Sequence, residues 1–266
     1  LLFLKVAQME IHLAEYDSAV VDLLRFKEKY NGVPEPLQAK WNKYMSTAEF
    51  GSHAVKNPVP FKPINLGASV NSPYDDYHPS ITVDGKMLVY TGKDKIGNSK
   101  SGKPILKEDL YYSYVGLNGG WDKAINFGTP INTPRNNEGS SSISHDGKYL
   151  FFASDMPGTI GSFDIYKVAI NDDGTYGEPE NLGTTINTKH REQFPFISEY
   201  NVLYFSSIGH QGYGGLDVFR SNMVNGGFDK PVNLGSSINS NLDDFAYVVR
   251  EKDNQGYVSS NRTGYD

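Results

Sequence analysis

The feature that most constrains this chain is a repeat. Asn65-Leu66-Gly67 returns as Asn126-Phe127-Gly128, Asn181-Leu182-Gly183 and Asn233-Leu234-Gly235, at offsets of 61, 55 and 52 residues. An aliphatic residue and an asparagine follow each copy: Val70-Asn71, Ile131-Asn132, Ile186-Asn187 and Ile238-Asn239. An acid comes next, at Asp76, Glu138, Glu192 and Asp244. A period of this length held in register marks a supersecondary unit that cannot bury its apolar face alone and stacks on its neighbours.

Each unit reads as four strands. The first surrounds Ile81, Ile143, Ile197 or Val249, and the second is an apolar run: Met87 to Gly92, Tyr149 to Ser154, Val202 to Ser207, and Gln255 to Ser260. Asp84-Gly85-Lys86 and Asp146-Gly147-Lys148 lie between the two, where Asp-Gly predicts a two-residue hairpin turn; the third and fourth copies have Glu199-Tyr200-Asn201 and Glu251 to Gln255 instead. Third strands open at Asp109-Leu110-Tyr111, Asp164-Ile165-Tyr166 and Asp217-Val218-Phe219, and fourth strands begin at Trp121, Tyr176 and Phe228. The pattern predicts a mainly β chain from residue 58 to 266, a β-propeller of four-stranded antiparallel blades. Four blades begin here, the last is incomplete at Asp266, and five or six make the full ring, with closure from beyond that residue or from the segment near Phe61.

Residues 1–57 follow a different period. Leu4, Ala7, Ile11 and Ala14 share a helical face, Tyr16-Asp17-Ser18 interrupts, and Ala19, Leu23, Phe26 and Tyr30 resume it. A third helix is expected near Pro34 or Pro36, carrying Leu37, Trp41, Tyr44 and Met45. Lys56 to Pro60 then forms a hinge, because proline disfavours helix at itself and at the residue before. Tyr16 and Ala19 at the turn resemble the end of a tetratricopeptide array, which makes the segment a small all-α tetratricopeptide-like unit.

A formal charge of -6 argues against a nucleic-acid binder, which needs a clustered basic surface. With no cysteine there is no thiol chemistry, and no apolar run approaches the roughly 20 residues of a membrane-spanning helix. Leu1 to Val6 lack a basic region ahead of them and do not read as a signal peptide, so the chain is expected to be an excerpt of something longer.

The units resemble the WD40-like repeats of TolB-type propellers, most clearly at Asp76-Tyr77-His78-Pro79-Ser80-Ile81-Thr82-Val83-Asp84-Gly85-Lys86 and at Ser154-Asp155 leading to Asp164-Ile165-Tyr166. Helices directly before such blades, with the Asn-Leu-Gly and Ile-Asn signature, resemble a narrower group of Bacteroidota envelope proteins of the OmpA family. That resemblance implies a periplasmic, outer-membrane-associated scaffold with protein partners among outer-membrane or periplasmic components of type IX secretion. Peptidoglycan would be reached only through a domain absent from these residues, and no cofactor is implied.

Catalytic signatures are missing: no Gly-x-Ser-x-Gly elbow and no His-Glu-x-x-His occur. The six histidines read as surface or turn residues, and Asn171-Asp172-Asp173-Gly174 reads as a hairpin turn in preference to a calcium loop. The alternative from another class is a glycan-binding or glycan-hydrolysing propeller that uses two channel carboxylates from Asp76, Glu138, Glu192 and Asp244. Recurrence at one blade position favours a shared backbone contact, whereas a catalytic pair needs unlike environments. Trp121, Tyr176 and Phe228, like Tyr111, Tyr166 and Phe219, are expected to pack between sheets.

As a docking surface, the sequence offers the face where these four acids enter the innermost strands. The connection Lys93 to Glu108 should open there as a long loop carrying Lys93, Lys95, Lys100, Lys103 and Lys107. Two readings stand: an acidic mouth that receives a basic segment, with lysines touching the rim, or internally bonded carboxylates beneath a solvated loop.

Overall fold

A computed structural model describes residues 2–58, 63–253 and 255–262. The chain divides into two compact units, Leu1–Asn65 and Leu66–Asp266. Part of the expected hinge, and the segment near Phe61, lie outside the described residues.

The first unit holds α1 (Leu2–His12), α2 (Tyr16–Lys29) and α3 (Gln38–Lys56), with a 3-10 turn over Glu35–Leu37 that carries Pro36 into α3. The break between α1 and α2 falls at Leu13 to Glu15, earlier than the sequence indicates, because Ala14 adopts φ 58° and ends the α1 ladder. Tyr16 therefore opens α2, and its ring lies where a Cβ on Gly51 would sit, so that glycine admits the aromatic between α2 and α3. Leu4, Ala7, Ala19, Leu23, Phe26, Tyr44, Met45 and Ala48 form the core. Each large side chain buried there contributes about 1.5–3 kcal/mol. The Trp41 indole N–H donates to the Leu23 carbonyl at 2.9 Å.

The second unit is a series of antiparallel sheets. The first is β1 (Asp76–Ile81), β2 (Met87–Asn98), β3 (Pro104–Tyr114) and β4 (Ile125–Asn126), in that order. The second is β5 (Glu138–Ile143), β6 (Tyr149–Ser154), β7 (Asp164–Ala169) and β8 (Glu180–Asn181), again in order. The third comprises β9 (Glu192–Ile197), β10 (Val202–Ser207) and β11 (Asp217–Val224), with β12 (Gly227–Phe228) and β13 (Val232–Asn233) both on β11. Of the fourth, β14 (Asp244–Arg250) and β15 (Gln255–Ser260) are described. The innermost strands β1, β5, β9 and β14 each contact the next. Residues from all four sheets line one cavity of about 220 Å³, among them Ile81, Ile143, Phe196 and Arg250.

The repeated motif explains why the sheets recur. The Asn132 side chain accepts from the Leu110 N–H at 2.9 Å and donates to the Leu110 carbonyl at 2.8 Å, while also donating to Asn126 Oδ1 at 2.8 Å. Asn187 makes the same contacts with Ile165 and Asn181, and Asn239 with Val218 and Asn233. Each Asn thus acts as a side-chain amide that continues the ladder of the third strand just after its Asp. The glycine of each Asn-Leu-Gly takes positive φ, 65° at Gly128 and 74° at Gly183, which lets its N–H return to the motif asparagine.

The Asp-Gly turns depart from the two-residue form. Gly85 N–H bonds the Thr82 carbonyl, only Gly85 of the pair has positive φ, and Asp84 accepts from Thr82 Oγ1 and from the Lys86 N–H. The turn closes on Thr82 and Met87, so Asp84 serves as a side-chain cap for the loop. In the third copy Asn201, at φ 59°, supplies the left-handed residue in place of glycine. The fourth copy turns through a 3-10 segment, Glu251–Asp253, and its next residue lies outside the described residues.

The aromatic expectations hold at Tyr166, Tyr176, Phe219 and Phe228, which pack in clusters that span two sheets, whereas Trp121 and Tyr111 pack within the first repeat. Tyr90 stacks on Tyr111, Phe152 on Tyr166 and Phe205 on Phe219, with ring centroids 5.8, 5.9 and 5.9 Å apart. Tyr176 meets Phe127 of the preceding repeat at 5.2 Å, and Phe228 meets Phe151 at 6.2 Å. Asn171 to Gly174 is a hairpin turn closed by Asn171 and Thr175. Two histidines are not surface residues: His78 is half-buried in β1 and faces Phe194 at 5.7 Å, and the His210 ring lies against Phe205 and Phe219.

Candidate functional site

The four acids occupy one structural position, each paired across to the second strand: Asp76 with Gly92, Glu138 with Ser154, Glu192 with Ser207 and Asp244 with Ser260. Glu138, Glu192 and Asp244 have no accessible surface, and Asp76 is half-buried. Glu138 accepts from the Thr133 N–H at 3.0 Å, Thr133 Oγ1 at 2.8 Å and Ser154 Oγ at 3.2 Å. Glu192 repeats the set with Thr188 and Ser207, at 2.7, 2.8 and 2.6 Å. Asp244 binds the Ser240 N–H and the Arg262 guanidinium, and Asp76 accepts from the Ser72 N–H. A carboxylate here staples the incoming loop to the sheet.

This geometry corrects the acidic mouth. Three of the four carboxylates face inward because the loop N–H and hydroxyl groups that they satisfy would otherwise be buried without partners. None of the four lines the 220 Å³ cavity. Their environments do differ, against the expectation of equivalence. Burial pushes Glu138 up to about 7, opposed by its Thr133, Lys107 and Ser154 partners. Burial acts the same way on Asp244, but bonds from Ser260, Ser240 and Arg262 outweigh it and hold that carboxyl below its ordinary value.

The lysine-bearing connection is not a loop. β2 and β3 continue their pairing through Lys93–Glu108, Asp94–Lys107, Lys95–Leu106 and Gly97–Ile105 to Asn98–Pro104, with an irregularity between Lys95 and Gly97. A tight turn closes the hairpin, where Gly102 at φ 81° donates to the Ser99 carbonyl. The glycines and serines that suggest a loop occupy this tip and the bulge, while the residues between them alternate as strands do.

The lysines divide into two groups. Lys107 is buried between Asp109 and Glu138, and Lys93 is half-buried, bound to Asp75 at 2.9 Å and lying over the Tyr77 ring. Lys95, Lys100 and Lys103 are exposed. Beside them stand three apolar side chains that sequence reasoning missed: Ile96, 56% exposed, Ile105, 44%, and Leu106, 37%. Ile105 and Leu106 are adjacent on β3 and so project to opposite faces of the ribbon. Between Lys95 and Leu106 the chain has three lysines and no acid. The signal that could have located these residues is the apolar pair Ile105-Leu106 directly after a proline, an unusual composition for a solvated loop.

Among the described residues no cluster of three potential metal ligands occurs, and no helix is long and apolar enough to cross a membrane.

No protein-family model matches the chain, and no curated protein matches its sequence. Solved structures with similarity include TolB from Acinetobacter baumannii, with 16% identity and a TM-score of 0.39 over 61% of this chain and 33% of that one. A putative TolB from Agrobacterium tumefaciens has 19% identity and a TM-score of 0.38, covering 66% of each chain. A puromycin-hydrolysing peptidase from Mycobacterium tuberculosis has 13% identity and a TM-score of 0.44, over 70% of this chain and 28% of that one. This chain spans about a third of the length of the first of these.

Proposed function

We propose that the chain is a protein-binding scaffold of a bacterial envelope assembly that acts without catalysis and docks a partner through the β2–β3 hairpin. The observation that carries this reading is the hairpin itself: it exposes Lys95, Lys100 and Lys103 among Ile96, Ile105 and Leu106. A free two-stranded ribbon is marginally stable in water, and exposed apolar side chains on both of its faces favour a protein groove that encloses it. The complementary partner surface is rich in carboxylates with apolar side chains between them. By sequence resemblance the setting is the periplasm at the outer membrane, in a type IX secretion assembly of the kind that the component PorE represents, with a cell-wall anchor outside these residues.

The glycan-hydrolysing alternative loses its geometry, because Glu138, Glu192 and Asp244 offer no surface to a sugar. Photo-crosslinking from position 98 or 101, compared with position 148 in the turn of the second sheet, tests the docking reading. The expected result is a product specific to the hairpin positions that disappears in the Lys95→Glu, Lys100→Glu, Lys103→Glu variant. Equal products from both sites, or turnover of a defined glycan by the parent chain, would overturn it.

A further inference from the structure

The outer strands of the first sheet depart from the other repeats in the side chains that face one groove. Counting from the Asp that opens each third strand, the residues three and five further on, with the residue opposite the nearer of them, form a set. In the second sheet the set is Lys167, Ala169 and Glu180. There Lys167 pairs with Glu180 at 3.2 Å and reaches the Gly226 carbonyl of the next repeat at 3.4 Å. In the third sheet it is Arg220, Asn222 and Val232. The first sheet has Tyr112, Tyr114 and Ile125. Sheets of this plan therefore hold together with charged and polar residues at these positions, and the aromatic set answers no requirement of the repeat.

The rings form a continuous chain. Tyr114 meets Tyr112 with centroids 5.6 Å apart, Tyr112 meets Phe127 at 4.8 Å, and Phe127 meets Tyr176 of the second repeat at 5.2 Å. The successive ring planes cross at 73°, 62° and 58°. Phe127 is buried, and Tyr112 and Tyr176 pack by one side against the cluster that spans the two sheets. Toward solvent the groove shows Tyr114, 47% exposed, and Ile125, 50% exposed, which lies opposite Tyr112 and on the same face. Among the described residues none of the three phenol hydroxyls has a hydrogen-bond partner, and none is sealed from water. Both sheets are described through all four strands, so the groove owes nothing to the sheets that follow.

We propose that this groove, centred on Tyr112, Tyr114 and Tyr176, binds an uncharged proline-rich peptide in the polyproline II conformation. Such a peptide has no internal hydrogen bonds, so its carbonyls are free to accept from phenol hydroxyls that lack a protein partner. Its preformed backbone loses little entropy on docking, which is why aromatic-lined grooves suit it. Rings tilted against their neighbours leave furrows that fit pyrrolidine rings, whereas a sugar stacks on a single ring face lying open. The absence of charge from the set, where the second sheet has an ion pair, matches an uncharged segment. The groove lies at the opposite end of β3 from the hairpin lysines and is independent of the docking reading above.

The probe is a labelled decaproline peptide titrated with the whole chain by fluorescence anisotropy, with a Gly-Ser decapeptide as control. Saturable binding of decaproline alone is expected. The combined variant Tyr112→Lys, Tyr114→Ala, Ile125→Glu installs the residues of the second sheet and should weaken binding at least tenfold with the circular dichroism of the parent. Tyr114→Ala alone, at an exposed position, should weaken it at least threefold, which keeps the test decisive if the combined variant does not fold. Lys95→Glu, Lys100→Glu, Lys103→Glu should bind the peptide as the parent does. No saturable binding, equal affinity for the Gly-Ser peptide, binding of a neutral oligosaccharide such as cellohexaose in its place, or loss of binding in the hairpin variant would each overturn the proposal. So would self-association of the chain that the combined variant abolishes.

Discussion

The first sheet and its two successors are made to one plan and differ in length at one place. β6 and β10 each run six residues before the chain turns away, whereas β2 runs twelve and carries its pairing past the level of the acid staple. Up to Gly92 the side chains of β2 are buried like those of β6 and β10. Beyond it the strand turns polar and exposed, with lysines and isolated apolar residues. The shared part is where packing and hydrogen bonding leave little choice of residue. Past Lys93, Asp94 and Lys107, which still bond to the sheet, the excess is free of that packing, and it is there that a partner-specific surface can be carried on a rigid base.

That division is broken most severely if a residue of the shared part proves dispensable. Asn187→Ala strips the Ile165 N–H of its partner inside a buried site, while the Ile165 carbonyl keeps the Leu182 N–H. At about 1–3 kcal/mol for a buried unsatisfied group, the loss is on the order of 1–3 kcal/mol. Urea unfolding should show it, with Lys100→Ala in parallel unchanged. A loss below about 1 kcal/mol at Asn187 would mean that the motif does not hold the third strand.

The acid staples sharpen the comparison through pH. Burial pushes the Glu138 carboxyl of the folded chain up to about 7, above the ordinary glutamate range. A raised carboxyl binds its proton more tightly in the folded state, so its contribution is fully present below the unfolded value. It is lost as pH rises through the folded one. Stability should fall between about pH 4.5 and 7 by on the order of 2–3 kcal/mol from this group, and Glu138→Gln should flatten that part of the profile. Asp244 acts oppositely: its lowered carboxyl favours the fold above the ordinary aspartate range, a contribution lost on acidification. Thermal melts of Glu138→Gln across about pH 4 to 8, and of Asp244→Asn below about pH 5, separate the two signs. An unchanged slope in Glu138→Gln would show that the Lys107 pair keeps that carboxylate ionised.

A smaller effect is expected at the turn where Asn201 stands for glycine at φ 59°. Asn201→Ala should cost about 1 kcal/mol by chain melting, since Ala lacks the local bonds that ease the left-handed region, while Asn201→Gly should be nearly neutral.

The strand content of each repeat was legible because its cues are local: period-two apolar runs, turn residues at fixed offsets, and aromatics recurring in register. The role of the motif asparagines was not, since Asn132 and Leu110 are 22 residues apart and only the folded sheet brings them together. Of the two readings left open for the acids, an acidic mouth and internally bonded carboxylates, the fold takes the second at Glu138, Glu192 and Asp244. Sequence spacing places Glu192 beside a strand entrance, and it says nothing of whether the Thr188 N–H and hydroxyl turn toward it. The Lys93 to Glu108 segment misled through composition, because its Gly and Ser residues sit at a turn and a bulge inside a ribbon that is otherwise strand.

The smallest expected effect on stability is also the one that isolates function. Replacing residues 94–107 with the short connection of the third sheet would remove the exposed ribbon but also Lys107, whose ammonium lies between Asp109 and Glu138. Stability would then change for a reason unrelated to docking. A cleaner cut joins Lys95 to Leu106 through an Asn-Gly turn, which keeps the Asp94–Lys107 pairing and the Tyr111 hydroxyl bond to Asp94. The residues removed make no contact with the apolar clusters of the sheets. Unfolding free energy should therefore stay within about 0.5 kcal/mol of the parent, the usual range for surface changes. Co-purification of the partner with the chain should fall to background all the same. A shortened chain that retains its partner would place docking elsewhere, whereas one that loses several kcal/mol would show that the hairpin belongs to the shared architecture after all.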